Sequence, residues 1–475
     1  MIRKTKIVCT IGPACSSLET LKAMMLAGMD IARLNFSHGT YESHYETIEL
    51  LRQASAETGK RIGLLQDLCG PKIRLGKLDG EIRLETGKLV ALTEGESSDH
   101  GSLPVNYPHL VEDLAVGARI LLADGLVELV VEEKRSGSLI CRIMNGGAVS
   151  SHKGVNLPLS KLRIPAFTEK DRNDLMFGLE VGVDIVAMSF IRDETDLTPI
   201  LEILSDQQAN RPMLLAKIEK PRAVENLDKI LTVVDGIMVA RGDLGVETPY
   251  EKLPIIQKKI ITATRKAAKP VITATQMLRS MVDHPRPTRA ETTDTANAIL
   301  DGTDAVMLSE ETAIGAYPVE AVGALRKIAI ATEEEMNYGK YMDEPVSPLL
   351  ARIPAEITKS ACALSNDLNV RCMVTITSFG YTPRMISRLR PQAPILAIST
   401  DDSVLRKLAL TWGVVTVLGP GLSDQEGLLE FVFNTVRDMN FCVEGDKLAL
   451  VYVNPYEEHG KENVIKIVNV PGAMV

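Results

Sequence analysis

Apolar residues in the first part of the chain gather into short runs, and longer amphipathic stretches separate them. Eight such runs stand out: Lys6–Thr10, Asp30–Leu34, Arg61–Asp67, Asp184–Met188, Met213–Ile218, Gly236–Ala240, Pro270–Thr273 and Asp304–Leu308. Near-continuous apolar runs of this length mark parallel strands buried on both faces. The stretches between them carry helix signals. Ser17-Leu18-Glu19-Thr20 opens a helix that stops near Gly28, Tyr41–Thr58 is helical, and Thr168-Glu169-Lys170-Asp171 caps a helix to Leu179. Further helices are predicted near Thr292–Leu300 and from Pro318 to Glu335. Eight strand–helix units are the count of a (β/α)8 TIM barrel. No internal repeat stands out.

The alternation breaks once. From about Lys72 to Arg163 the pattern becomes short alternating strands (Ala118–Leu122, Leu126–Glu132, Leu139–Met144) with tight turns such as Asp124-Gly125. This is an inserted all-β domain, expected as a small β-barrel at the functional end and placed to act as a lid. Asn337–Arg352, with Pro345 and Pro348, reads as a linker. Beyond it strands and helices alternate again, through Arg371–Thr375, Pro394–Ala397, Val414–Val417, Lys447–Val451 and Val464–Val468, which predicts an open-sheet α/β domain. The expected units are a catalytic barrel over 1–71 and 164–336, a β-barrel lid over 72–163, and an α/β domain over 353–475.

Composition narrows the function classes. The 475 residues carry a net charge of −9 and are 45% apolar. An acidic chain without a basic stripe is a poor nucleic-acid surface. No run is long enough for a membrane span, and Met1–Ala14 lacks the apolar core of a secretory leader. The seven cysteines (Cys9, Cys15, Cys69, Cys141, Cys362, Cys372, Cys442) are odd in number, scattered and without a C-x-x-C pair. They fit reduced thiols of a cytoplasmic protein better than a disulfide framework or a zinc site.

Candidate chemistry lies at the strand ends. The run Met213–Ile218 closes with Lys217 and Glu219, and the run Gly236–Ala240 with Arg241 and Asp243. Alone, these charges also fit a surface ion pair and solvated loop ends. At the carboxyl ends of barrel strands they face the site instead. A barrel collects Arg33, Asn35, Ser37, Asp67, Lys217, Glu219, Arg241, Asp243, Thr275, Ser309 and Glu311 at one face. Cations for phosphate and carboxylate, two acids for a hard divalent ion and a lysine beside them describe phosphoryl or enolate chemistry. No Ser/His/acid set, Walker motif, GxGxxG, HExxH or EF-hand loop stands in a fitting context. The loop Thr377-Ser378-Phe379-Gly380-Tyr381-Thr382 reads equally as a phosphate-binding loop and as an ordinary capped helix start.

On its motifs the chain resembles the pyruvate kinase family over nearly its whole length. The matching stretches are CTIGPA, ARLNFSHGT, KGVNLP, LLAKIE, DGIMVARGDLGVE, ITATQML, PRPTRAE, DGTDAVMLSEETA and RLRPQAPI, in family order. The resemblance implies phosphoryl transfer from phosphoenolpyruvate to ADP, giving pyruvate and ATP. It implies Mg²⁺ (or Mn²⁺) held by Glu219 and Asp243, and Lys217 stabilising the transferring phosphoryl and the enolate. Arg33 would clamp the phosphoryl group. Gly242 and Asp243 amides with the Thr275 hydroxyl would hold the carboxylate. Thr275, with Ser309 and Glu311 nearby, would serve enolate protonation, and Asn35, His38 and Arg74 would touch the nucleotide.

Departures from the family pattern carry their own expectation. Many members have Glu where this chain has Lys72, Thr and Lys at Leu68 and Cys69, and a polar residue at Leu75. Those members hold K⁺ near Asn35, Ser37 and Asp67. Here the Lys72 ammonium supplies the same single charge, and a K⁺-independent enzyme is expected; the competing reading has Lys72 in solvent and K⁺ still bound. Glu310, Ser43 and Asp193 also depart from the usual residues. An effector of the sugar-phosphate or nucleotide class at Thr377, Ser378, Gly380 and Thr382, a homotetramer, and no phosphotransfer domain after the α/β domain complete what the resemblance implies. Two rivals are a Mg²⁺-dependent lyase on the same kind of barrel and a non-catalytic metabolite sensor.

Overall fold

The computed structural model describes residues 2–97, 101–158, 160, 162–207, 211–421, 425–453 and 463–472. Eight parallel strands form a closed barrel: β1 (Lys6–Thr10), β2 (Ile31–Asn35), β3 (Gly63–Asp67), β4 (Ile185–Met188), β5 (Met213–Ile218), β6 (Gly236–Ala240), β7 (Val271–Ala274) and β8 (Ala305–Leu308). Each pairs with its neighbours in sequence, and β8 returns to β1. Nearly every strand residue is buried, as a barrel wrapped in helices requires. The helices begin where the sequence offers a cap. Ser17, Thr40, Thr168 and Thr288 each accept a hydrogen bond from the backbone N–H three residues on. Gly182 and Gly302 end their helices in the left-handed conformation. The helix expected near Thr292 starts earlier, at Arg289, because Thr288 and Glu291 close a capping box there.

The barrel floor shows a rule that the strand assignments hid. Asp30, Asp184, Asp235 and Asp304 stand immediately before β2, β4, β6 and β8. Each carboxylate accepts from a backbone N–H near the start of the preceding strand: Ile7 (2.7 Å), Leu64 (2.9 Å), Leu214 (2.9 Å) and Val271 (3.1 Å). Reading Asp30, Asp184 and Asp304 as strand residues was therefore wrong by one position. They are acceptors that satisfy strand N–H groups at the floor.

The insertion has its own core, built from residues such as Leu92, Val105, Ile120, Leu129 and Cys141. Its six-stranded sheet runs in the order Val155–Asn156, Arg119–Leu122, Val127–Arg135, Ser138–Asn145, Leu89–Glu94, Ser102–Val105. Single bridges from Arg74 to Gly154 and from Leu75 to Val105 span the gap between the two edge strands. Ile82–Leu84 and Gly147–Val149 form a separate ribbon. The expected small barrel is thus a six-stranded sheet whose edges meet through Arg74 and Leu75.

The C-terminal unit is a five-stranded sheet: Val414–Leu418, Ile395–Ser399, Cys372–Ile376, Lys447–Val453, then Asn463–Asn469 antiparallel at the edge. It seals the barrel floor. Lys6 Nζ donates to the Val414 carbonyl (2.6 Å), Trp412 N–H to Asp304 Oδ1 (3.1 Å), and Arg406 pairs with Asp184 (2.8 Å). The linker is pinned as well: Tyr341 is buried beneath the Arg265 guanidinium, 3.7 Å from its ring centroid. All seven cysteines are free thiols. Among the described residues no helix is long and apolar enough to cross a membrane.

Glu333, 1% exposed, accepts from the backbone N–H groups of Lys4 (2.8 Å) and Thr5 (2.6 Å) at the floor. Glu333→Ala leaves both donors buried and unpaired. It should destabilise the protein by about 3 kcal/mol, read as a drop in thermal midpoint; an unchanged midpoint would mean that water replaces the carboxylate.

Candidate active site

Side chains alternate along a strand, so residues two apart share a face. Lys217 in β5 and Glu219 just beyond it both point to the open end of the barrel. Lys217 Nζ lies 3.0 Å from Glu219 Oε1 and 3.1 Å from Asp67 Oδ1, and donates to Ser189 Oγ at 2.8 Å. Asp67 ends β3 and also receives Arg33 Nε at 2.7 Å. Arg33 Nη1 donates to Thr10 Oγ1 at 2.8 Å, at the end of β1. Five strand ends thus contribute to one buried hydrogen-bonded cluster.

Burial opposes charge on Lys217, Asp67, Glu219 and nearby Asp243, and the neighbours decide the result. Burial works against the Lys217 ammonium, but Asp67 and Glu219 outweigh it and hold its pKa above the usual lysine range. Burial also disfavours the Asp67 carboxylate, yet Lys217 and Arg33 together keep it below the usual carboxylate range. Glu219 is pushed up, first by burial and then by Asp243, against the pull of Lys217. Burial likewise raises Asp243, with Lys217 and Lys72 opposing. Glu219 and Asp243 are therefore an acid pair short of positive charge, and that donor set fits a divalent cation. Among the described residues no group of three or more His, Cys, Asp or Glu side chains is arranged to hold a metal. A cation on this pair would draw its remaining ligands from water and substrate.

Two strand ends are bent into unusual backbone. Thr275 (φ 70°), Gln276 (φ 55°) and Phe190 (φ 58°) adopt the left-handed region that non-glycine residues avoid. Arg241 holds the first two in place. Its guanidinium donates to the carbonyls of Ala274 (3.2 Å) and Thr275 (2.7 Å) and pairs with Asp294 (2.6 Å). The Thr275 hydroxyl accepts from Gly242 N–H at 2.7 Å. Phe190 N–H donates to Glu219 Oε2 at 2.7 Å. Strain of this kind collects where side chains must be aimed.

These groups line a cavity of about 450 Å³ between the barrel mouth and the insertion. Of the residues expected at the site, Arg33, Asn35, Ser37, Asp67, Lys72, Arg74, Lys217, Glu219, Asp243, Thr275 and Ser309 all line it. Three do not. His38 is exposed beyond Asn35. Gly242 offers its N–H to Thr275. Glu311, 1% exposed, sits behind the wall, accepting from Ser309 N–H (2.7 Å) and Leu278 N–H (3.1 Å). Lys72 Nζ donates to Ser37 Oγ at 2.9 Å, while Leu68 and Leu75 are buried. The departures Glu310, Ser43 and Asp193 have structural partners: Arg279 (2.6 Å), the Thr40 capping box and Arg222 (2.5 Å).

Sequence reading did not single out Ser189, Lys220, Asp124, Lys153, Asn156, Arg192 or Glu247, which also line the cavity. Ser189 follows β4 and obeys the strand-end rule already applied to β5 and β6. Asn156 of the insertion donates to Glu247 Oε1 at 3.3 Å, and Lys220 pairs with the same oxygen at 3.0 Å. Only the packing of insertion on barrel reveals that contact. The lining carries seven cations against five carboxylates, in a chain whose net charge is −9. Such a cavity favours anionic substrates. The loop Thr377, Ser378, Gly380 and Thr382 lies apart, after Cys372–Ile376 in the C-terminal unit, and there Thr377 Oγ1 accepts from Gly380 N–H at 2.8 Å.

Comparison with known proteins adds to this geometry. Residues 2–322 match the model of the pyruvate kinase barrel domain, and residues 355–468 that of the pyruvate kinase alpha/beta domain. The chain is 43% identical over 471 residues to pyruvate kinase of Geobacillus stearothermophilus, covering 98% of this chain and 80% of that protein. It is 42% identical over 473 residues to pyruvate kinase of Mycobacterium intracellulare, covering 98% of each. The crystal structure of a pyruvate kinase from Cryptosporidium parvum superposes with a TM-score of 0.93 at 36% identity, covering 99% of this chain and 96% of that one.

The acid pair gives a pH signature. Without a divalent cation, Glu219 and Asp243 hold protons more readily folded than unfolded. The pair's contribution to stability should be lost as pH rises from the ordinary carboxylate range through their raised values. Lys217→Met removes the cation that restrains both, so its thermal midpoint should fall more steeply with rising pH than that of the parent. Parallel curves would show that Lys217 does not govern the pair.

Proposed function

The chain belongs to the pyruvate kinase family, a family of phosphotransferases, and from that membership we propose that its cavity moves the phosphoryl group of phosphoenolpyruvate to ADP, releasing pyruvate and ATP with Mg²⁺ as the resident ion. The observation that carries the reading is the Lys217 cluster: an ammonium, a guanidinium and two under-compensated acids on one anion-favouring wall. Phosphoryl transfer asks mainly for positioning and charge.

Glu219 and Asp243 would hold Mg²⁺ (or Mn²⁺), which when bound supplies positive charge to substrate carboxylate and phosphoryl oxygens. The protein's own groups do the rest. Arg33, braced by Asp67 and Thr10, would clamp the phosphoryl group. Lys217, held charged by two carboxylates, would stabilise the transferring phosphoryl and the enolate that remains. The Thr275 hydroxyl would serve the substrate carboxylate with the Gly242 and Asp243 amides once it releases Gly242 N–H, and would take part in enolate protonation. Ser309 would join that hydroxyl chain, with Glu311 orienting it through the Ser309 N–H. ADP would lie between barrel and insertion near Asn35 and Arg74. His38 fits that role less well, because its side chain stands outside the cavity.

We also propose that the enzyme needs no K⁺. The 2.9 Å contact from Lys72 to Ser37 supports this, because it sets the ammonium on Ser37 in the cavity that Asn35 and Asp67 also line. A second cation there would be repelled. Cytoplasmic localisation fits seven reduced cysteines. An allosteric effector of the sugar-phosphate or nucleotide class at Thr377–Thr382 rests on family likeness and on the loop's hydroxyls. A homotetramer fits the 84% exposed Tyr250 and 67% exposed Ile255, apolar surface that a neighbouring copy would cover; sedimentation at micromolar protein should give four chains, and a monomeric mass would remove the proposal.

Pyruvate formation from phosphoenolpyruvate and ADP, coupled to lactate dehydrogenase, tests the function. The dialysed enzyme with Mg²⁺ should turn over equally in K⁺ and in a bulky ammonium salt. Lys217→Met should lose roughly 10²–10³ in rate or more, since it removes a preorganised charge. Lys72→Glu should make the rate respond to added K⁺. Turnover that already requires K⁺ in the parent would discard the Lys72 reading and leave the reaction standing. Absence of turnover, even with sugar phosphates or nucleotides added, would discard the reaction.

A further inference from the structure

Where the barrel floor meets the C-terminal sheet lies a second, very small cavity of about 10 Å³. Five cations line it: Arg265 and Lys269 from the barrel side, and Arg384, Arg388 and Arg390 from the C-terminal unit. Asp304 is the one carboxylate among its lining residues. Arg390 pairs with Asp304 at 3.0 Å, and Arg265 pairs with Glu344 at 2.6 Å.

The other three find no acid. Lys269 donates to the carbonyls of Leu231 and Val234. Arg384 donates to the Phe379 carbonyl at 3.3 Å, and Arg388 to the Ala355 carbonyl at 3.2 Å. Among the described residues none of these three lies within ion-pair distance of a carboxylate. Asp235, whose charge reaches Lys269 and Arg384, is occupied by Arg211 at 3.1 Å and by Leu214 N–H. Arg265 and Arg388 are 2% and 4% exposed. The Nε atoms of Arg265, Arg388 and Arg390 and the Thr411 hydroxyl are buried without a hydrogen-bond partner. Burial pulls the pKa of Arg265, Lys269, Arg384 and Arg388 downward; neighbouring cations add to the pull on Arg265, Lys269 and Arg388, whereas Asp235 partly opposes it on Arg384.

Buried cations persist when something of opposite sign accompanies them. Unpaired donors on buried guanidinium groups call for an acceptor. We propose that this junction binds one small inorganic anion, held by Arg384, Arg388 and Lys269, which clamps the C-terminal unit to the barrel floor. The space suits an ion of about a water's size, such as chloride. Phosphate would require the long Lys269 and Arg384 side chains to swing outward. The site is separate from the cavity at the barrel mouth and does not depend on the phosphoryl-transfer reading.

The test uses the full-length protein in gluconate, an anion too large for the cavity. Chloride, and in a parallel arm phosphate, replaces gluconate at constant ionic strength while the thermal midpoint is followed. Once the site fills, the midpoint should rise by roughly 1–2 °C per tenfold increase in anion concentration. Arg388→Met should abolish that rise, which separates this site from anion binding at the barrel mouth. If Arg388→Met does not fold, Arg384→Gln, on the partly exposed side, takes its place. Bromide-soaked crystals should show an anomalous peak among Arg384, Arg388 and Lys269. A rise in the chloride arm assigns a halide, and a rise in the phosphate arm alone assigns phosphate. Equal midpoints in all three salts, or a rise undiminished in the variants, would overturn the site.

Discussion

The barrel mouth depends on one constraint: Asp67 has no access to water, so its charge must be matched by side chains. Arg33 and Lys217 supply that match from opposite sides, and each is thereby fixed in position. Lys217 is fixed further by Glu219 and Ser189, Arg33 by Thr10. Removing any one charge leaves others buried and uncompensated, so the cluster holds its geometry without substrate. Glu219 and Asp243 alone remain short of positive charge, and this localises the demand for a cation to one spot on the wall.

Much of this was legible because a parallel barrel converts a simple sequence feature into a place. A polar residue that closes an apolar run lands at the mouth, so Arg33, Asp67, Lys217, Glu219 and Thr275 could be gathered from positions far apart in the chain. The rule fails where a side chain turns away. Glu311 lies close in sequence to Ser309 but points behind the wall, where two backbone N–H groups claim its carboxylate. His38 follows Asn35 by three residues, and the turn carries its ring to the surface. Gly242 spends its N–H on Thr275. Lys220, Glu247 and Asn156 escaped notice because their meaning comes from the insertion resting on the barrel rim, a contact without a periodicity or motif of its own.

The floor escaped for a different reason. Aspartate before an apolar run looks like the run's first residue, and only hydrogen bonds reveal that it serves the strand before. The strained segments at Phe190 and Thr275 were equally invisible, since nothing in their residue types announces a left-handed backbone. Both features belong to the way strands are closed off, at one end by carboxylates and at the other by bent turns. The run positions were right, and the edges matched for Lys6–Thr10, Met213–Ile218 and Gly236–Ala240 but shifted by one or two residues in the other five.

The aspartate pattern divides the barrel into four clamped couples: β1 with β2, β3 with β4, β5 with β6 and β7 with β8. The eightfold ring therefore has a fourfold grain. A cut between couples leaves every clamp whole, whereas a cut inside one severs it. The long insertion falls inside the second couple, between β3 and β4, where chain continuity is weakest. There the Asp184 carboxylate on Leu64 N–H does what a short loop does elsewhere: it stitches the two strands together beneath the inserted domain, so that the floor stays shut whatever the domain above it does.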